Sequence, residues 1–82
     1  MATPQRTFWN GAPEELREAF TLTKPSGVRA RCAIWTHMFG WEIRLDVKGA
    51  IVRTQVTRDP AAVNCMCDEW RSGMVAEGWN QG

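Results

Sequence analysis

The chain has 82 residues, of which 44% are hydrophobic and 23% are charged, and its formal net charge is +1. A chain of this length buries only about 60% of its unfolded surface, which leaves room for one small core and excludes a second domain. The composition is that of a globular protein, and the near-neutral charge argues against a protein that holds nucleic acid mainly by neutralising phosphates.

The chain is expected to begin with a flexible segment, residues 1–10, followed by a single small α+β domain over residues 11–82. A short helix is predicted at the start of this domain. Pro13 suits the first helical position, and the two glutamates after it complement the positive end of the helix dipole. Leu16 and Phe20 share a face at helical spacing, and the breakers Lys-Pro-Ser-Gly at 24–27 end the helix.

A three-stranded antiparallel meander is predicted over residues 28–57. Apolar and polar residues alternate along each of its three runs, as they do when one face of a sheet is buried. The alternation changes phase at Phe39-Gly40 and again at Lys48-Gly49, where two-residue hairpin loops are expected. The side chains assigned to the buried face are those of Val28, Ala30, Cys32, Ile34, Thr36, Met38, Trp41, Ile43, Leu45, Val47, Ala50, Val52 and Val56.

The two loops imply a register for the meander. Thr36 would face Ile43 across the first hairpin, and Leu45 would face Val52 across the second. A different second loop, with a bulge at Gly49, would shift the second pairing by one residue. We reject that loop because a one-residue shift moves apolar side chains to the exposed face.

A second helix is predicted after the meander. Asp59 is a suitable N-cap and Pro60 fits the first helical position. Gly78 falls where a left-handed residue ends a helix, and Trp79 can then contact Met74. The apolar stripe that should cover the sheet consists of Val63, Met66, Cys67, Trp70 and Met74. The predicted fold is therefore α+β, with helices on one face of the meander and the order α-β-β-β-α.

The α-β-β-β-α order is that of double-stranded-RNA-binding domains, but the residues do not match that family. Those domains have a longer, histidine-bearing loop between their first two strands and begin their second helix with lysines. Here the loop is Phe39-Gly40 and the helix begins with Asp59-Pro60. The pattern is similar to that of small bacterial proteins, without indicating a particular family.

The exposed face of the predicted sheet carries the candidate binding site. The predicted register forms one row across the strands from Trp35, Arg44 and Arg53, and a second row from His37, Glu42 and Gln55. Tryptophan and arginine are favoured anchors of protein interfaces, so we expect a protein-interaction module whose partner is another protein or a second copy of the chain. The alternative is a weak binder of single-stranded nucleic acid or of an anion, because a tryptophan among guanidinium groups can stack a base. A third reading leaves an ordinary surface, with Phe8 or Trp9 covering Trp35.

Catalytic, metal and cofactor sites are not expected. His37 opposite Glu42 has the residue types of a general base and its orienting carboxylate, but a flat sheet face offers no pocket, which favours a surface ion pair. Cys65 and Cys67 stand two positions apart on a helix and cannot both reach one metal ion. Cys32 and Cys67 are expected in the core, and Cys65 as a partly exposed thiol.

A cytoplasmic location without membrane contact is expected. No apolar run approaches the roughly 20 residues of a membrane helix, and residues 1–8 lack the apolar core of a signal peptide. An odd number of cysteines also fits poorly with the disulfide framework of a small secreted protein.

Overall fold

The structure is a computed structural model that describes residues 11–81, so the predicted flexible segment at 1–10 lies outside the described residues. The elements are β1 (Glu15–Thr23), β2 (Arg29–His37), β3 (Gly40–Val47), β4 (Ala50–Thr57), α1 (Pro60–Ala76) and β5 (Asn80–Gln81). The strands form one antiparallel sheet in the order β4-β3-β2-β1-β5. The predicted α-β-β-β-α order with three strands was therefore wrong, and the order found is β-β-β-β-α-β.

The segment predicted as the first helix is strand β1. Its helix-forming residues and Pro13 give the segment a local preference for helix. That preference is weaker than the stabilisation that pairing with another strand provides. Phe20 and Leu22 alternate with Thr21 and Thr23, and β1 pairs with β2 so that Leu22 is fully buried opposite Ala30. Residues 24–27, which were predicted to end a helix, form the loop of the β1–β2 hairpin.

The β2–β3 hairpin turns at residues 38–39, one position earlier than predicted. His37 and Gly40 close the turn, so Ile34 faces Ile43 and Thr36 faces Trp41. The predicted pairing was wrong by two residues along the partner strand. Because side chains alternate with period two, that error leaves every side chain of β2 and β3 on its predicted face.

The β3–β4 hairpin turns at Lys48-Gly49, as predicted, with φ of 57° and 83° at these residues. Val47 faces Ala50 and Asp46 faces Ile51, but beyond them the register shifts and Leu45 faces Arg53. Val52 is the extra residue of this β-bulge. The bulge reverses the orientation of every later side chain in β4. The only one-residue shift considered from the sequence was a bulge at Gly49, with Ile43 against Arg53, so the bulge at Val52 was missed.

Helix α1 confirms the predicted second helix at both ends. The Asp59 carboxylate accepts a hydrogen bond from the Ala61 N–H at 2.9 Å. At the other end Gly78 has φ of 104°, and the N–H of Trp79 donates to the Met74 carbonyl at 3.1 Å. This ending is a Schellman motif, and it turns the chain back so that β5 pairs with the end of β1.

The core lies between α1 and one face of the sheet. Val63, Cys67 and Trp70 project from α1, as predicted. The buried hydrophobic residues of this cluster are Leu22, Ala30, Cys32, Ile34, Ile43, Leu45, Val63, Cys67, Trp70 and Trp79. Val52, which was assigned to the core, is 58% exposed, and Val56 is 37% exposed.

The bulge predicts losses of different size for two variants. Leu45→Ala should lower the free energy of unfolding by about 2 to 5 kcal/mol, because it removes buried methyl groups from the core. Val52→Ala should lower it by less than about 1 kcal/mol, because Val52 lies at the surface. Urea denaturation followed by tryptophan fluorescence measures both. Equal losses in the two variants would contradict the bulge.

Candidate functional site

The face of the sheet that points away from α1, here called the outer face, carries most of the predicted site. Three rows cross β2, β3 and β4 on this face. They are Trp35–Glu42–Val56, Ala33–Arg44–Thr54 and Arg31–Asp46–Ile51. Each row contains an apolar or neutral residue of β4, and the bulge is what turns Thr54 and Val56 outward.

Trp35, Glu42 and Arg44 form a compact cluster on the outer face. The Arg44 Nε donates to Glu42 Oε1 at 2.9 Å, and the guanidinium carbon lies 4.1 Å from the centre of the Trp35 ring. The side chains of Arg44 and Glu42 are only 22% and 16% exposed. The Arg44 charge is thus neutralised within the chain by Glu42, and the Trp35 ring packs against its guanidinium.

A second polar cluster lies on the β1 side of the outer face. The Arg31 guanidinium donates to Glu15 Oε1 at 2.9 Å and to Glu18 Oε1 at 2.9 Å, and the Thr21 hydroxyl donates to Glu18 Oε2 at 2.8 Å. Hydrogen bonding from Arg31 lowers the pKa of the Glu15 carboxyl. The pKa of Glu18 is lowered first by the Thr21 hydroxyl and then by Arg31. Arg31 therefore stays charged and is occupied by two carboxylates.

Arg53 and Gln55 do not lie on the outer face, so the predicted rows were wrong at β4. The bulge turns both side chains to the side of α1, where the Arg53 guanidinium carbon lies 4.2 Å from the centre of the Trp70 ring. Arg44 faces Thr54 instead of Arg53. The like-charged pair that the sequence predicted does not form.

His37 lies at the end of β2 and faces Gly40 rather than Glu42, which faces Trp35. Its Nδ1 accepts a hydrogen bond from the Phe39 N–H at 3.1 Å, and its ring lies 5.6 Å from the Phe39 ring. The predicted cross-strand pair of His37 and Glu42 was therefore wrong. The observed bond ties His37 to the β2–β3 turn.

Exposed apolar side chains follow β4 and the turn beside it. Ile51 and Val52 are 57% and 58% exposed and stand at one end of β4. At the other end Gly40 approaches so closely that a Cβ there would lie 2.5 Å from the Thr57 carbonyl oxygen. That approach brings the β2–β3 turn, with Met38 and Phe39 exposed, alongside the end of β4. We call Met38, Phe39, Ile51, Val52 and Val56 together the apolar edge.

The cysteines occupy the positions that the sequence predicted. Cys32 and Cys67 are buried and Cys65 is exposed, and all three are free thiols. Burial raises the pKa of the Cys32 thiol to about 12, and burial is also the main reason that the pKa of the Cys67 thiol is raised. Over residues 11–81, no group of three or more potential ligands is placed to hold a metal ion.

A cleft of about 180 Å³ lies where the start of α1 meets the sheet. Arg17 and Asn64 join across it, with the Arg17 Nη2 donating to Asn64 Oδ1 at 2.7 Å. Its other lining residues are Leu16, Ile34, Trp41, Pro60 and Val63. The cleft is smaller than the roughly 300 to 1,000 Å³ of typical ligand pockets.

The chain was compared with protein-family models, with curated proteins and with solved structures, and none of the three comparisons gave a match. In the described part of the chain, α1 is too short and too polar to cross a membrane. The candidate site therefore has to be judged from its own geometry.

Sequence reasoning missed the apolar edge and the second polar cluster, in which Arg31 binds Glu15 and Glu18 (the Arg31 cluster). The cluster depends on β1, which was predicted as a helix. For the apolar edge a signal was present, since Ile51 and Val52 are adjacent β-branched residues and a regular strand cannot bury both on one face. One of the two therefore had to be exposed, but no local signal marked the bulge that exposes Val52 and Val56 as well.

The thiols should react in two classes. Cys65 should react rapidly with an aromatic disulfide reagent in the native protein, because it is exposed. Cys32 and Cys67 should react at least about a hundredfold more slowly, because burial hinders access and disfavours the thiolate. Absorbance of the released thiolate counts the thiols, with a sample in denaturant as the reference for three. Rapid reaction of all three in the native state would contradict the packing of α1 on β2.

Proposed function

We propose that this protein is a non-enzymatic protein-interaction module that binds its partner along the apolar edge and the adjoining part of the outer face. The observation that carries the proposal is the distribution of exposed apolar side chains. Of the seven large hydrophobic residues that are exposed over residues 11–81, five belong to the apolar edge. Scattered exposed apolar residues need no explanation, whereas a concentration of them along one edge is typical of an interaction site.

The polar groups around the apolar edge support the same proposal. Trp35 on β2 and Arg44 on β3 lie next to β4 on the outer face, and Glu42 accepts a hydrogen bond from the Arg44 guanidinium. Tryptophan and arginine are frequent anchors in interfaces, and side chains that are already ordered lose little conformational entropy on binding. An apolar strip with such a polar border has the composition of a protein interface.

The alternative, a nucleic-acid or anion binder, loses its main support. It depended on a row of Trp35, Arg44 and Arg53 with free guanidinium groups. Arg53 lies on the other side of the sheet, and Arg44 is paired with Glu42. Arg31, the next guanidinium on the outer face, is paired with two glutamates. A groove for phosphates needs cations that the chain has not already neutralised.

A cytoplasmic location is part of the proposal. It is supported by the three free cysteines, since small secreted domains of this size usually depend on disulfides.

The apolar edge can be tested with one variant and a matched control. Val56 and Val75 are 37% and 40% exposed, but Val75 lies on α1, away from β4. Val56→Lys should reduce partner capture at least about tenfold, because a lysine on the edge strand opposes pairing and apolar contact. Val75→Lys should change it less than about twofold. The measurement is quantitative capture of binding proteins by the immobilised full chain, with thermal melting as the check that both variants fold.

Equal capture by the wild type and the Val56→Lys variant would show that the working surface is elsewhere. A loss that is equal in both variants would point to an effect of charge rather than of position.

A further inference from the structure

We infer that the partner is a second copy of this chain, which adds antiparallel to β4 so that the two sheets become one continuous sheet. The inference rests on the proposed function, because it places the partner on the same apolar edge. It adds the identity of the partner, the mode of contact and the register. Four observations carry it: the unequal protection of the two sheet edges, the direction of the β4 backbone groups, the self-complementary sequence of β4, and the position of the β2–β3 turn.

The two edges of the sheet differ in protection. At the β1 edge, β5 covers Leu22 and Thr23, and the remainder of β1 carries three charged residues and two register irregularities. Charges and irregular backbone are common devices that keep edge strands from pairing. The only charged residue of β4 is Arg53, and its guanidinium lies over Trp70. The bulge at Val52 lies near the turn and leaves residues 53–57 in regular pairing with β3.

The backbone groups of Thr54 and Val56 point away from the sheet. The Lys48 N–H donates to the Arg29 carbonyl at 3.2 Å, so this pair is hydrogen-bonded across β2 and β3. Hydrogen-bonded and non-bonded pairs alternate in an antiparallel sheet. The backbone groups of Glu42 and Arg44 on β3 therefore also bond to β2. The alternate residues of β3, Leu45, Ile43 and Trp41, bond toward β4, to Arg53, Gln55 and Thr57.

It follows that the N–H and C=O groups of Thr54 and Val56 are directed to the side of β4 where, over residues 11–81, the sheet has no further strand. These are the groups that another antiparallel strand would bond. A buried edge needs such partners, and an exposed one is a template for pairing with another chain.

The sequence of β4 is complementary to itself about Thr54. With a two-fold axis through this residue, Thr54 faces Thr54 of the second copy, and Val52 faces Val56 of the second copy. Both pairs lie on the outer face and are neutral or apolar. On the other face Arg53 meets Gln55 of the second copy, whose amide oxygen can accept from the guanidinium. An axis through Arg53 would instead oppose two like charges.

The same register uses the remainder of the apolar edge. Counting from Thr54, the end of β4 at Thr57 lies beside the bulge of the second copy, at Ile51 and Val52. The β2–β3 turn of the first copy reaches that end through the close approach of Gly40 to Thr57. Phe39 is therefore brought toward Ile51 of the second copy, and the symmetry repeats this contact at the other end of the interface. Four side chains of the apolar edge, those of Phe39, Ile51, Val52 and Val56, then border the junction.

The inference is tested by sedimentation equilibrium of the full chain over a range of concentrations. The wild type should be dimeric, and Val75→Lys should be dimeric with the same dissociation constant within about twofold. Val56→Lys should raise the dissociation constant at least about tenfold, because it replaces two apolar contacts related by the symmetry with a lysine set against Val52 of the other copy.

Proline variants test the direction of the backbone. Thr54→Pro removes an N–H that points outward, so the monomer keeps its hydrogen bonds to β3 and only dimerisation should be lost. Gln55→Pro removes an N–H that bonds β3, so this variant should melt at a clearly lower temperature than Thr54→Pro. If Thr54→Pro fails to fold, the phase argument is wrong at this residue, and Val56→Lys still decides the interface.

The outcomes separate this inference from the proposed function. A wild type that remains monomeric up to about 1 mM, the weak end of the affinity scale, overturns the inference. A dimer that survives both Val56→Lys and Thr54→Pro overturns it too, since the contact then lies elsewhere. If a monomeric wild type captures a different protein that Val56→Lys loses, the proposed function stands without the inference. If it captures none that responds to Val56→Lys, both are rejected.

Discussion

The β-bulge at Val52 decides which side chains this protein presents to its surroundings. One extra residue in β4 moves the side chain of every later residue in that strand to the opposite face of the sheet. Arg53 consequently turns toward α1, where it covers the edge of the core at Trp70, and Val56 turns to the outer face. Without the bulge Val56 would pack beneath α1 and Arg53 would stand beside Arg44. The chemical character of the sheet surface therefore depends on a single insertion in one edge strand.

A second consequence concerns charge. The guanidinium groups of the outer face are occupied within the chain, Arg31 by two glutamates and Arg44 by Glu42 and the Trp35 ring. Such pairs add little to stability at a surface, but they leave few uncompensated charges for a ligand. What remains for recognition is apolar surface and the outward main chain of β4. Both are features that a β-strand from another chain can satisfy, and neither suits a phosphate backbone.

The segment at residues 11–27 shows where local reasoning fails. Proline and glutamates near its start are typical of a helix, yet β1 forms there because Phe20 and Leu22 can join the core only as part of the sheet. Propensity acts over a few residues and is worth tenths of a kcal/mol for each, whereas pairing with β2 provides hydrogen bonds and burial along the whole strand. The Arg31 cluster could not be foreseen for the same reason, since its carboxylates belong to β1.

The sequence by itself determined those features in which each signal is local and has one solution. These include α1 with the Asp59 cap and the Gly78 ending, and the turn at Lys48-Gly49. They also include the assignment of β2 and β3 side chains to the two faces, because period-two alternation is unchanged by a register error of two residues. Only the tertiary structure decided the facing of β4, and with it which of the six candidate residues share a surface. A bulge changes a strand by one residue, and one residue is half the period of alternation, so Arg53 packs on Trp70 and Val56 faces outward, against the apolar pattern.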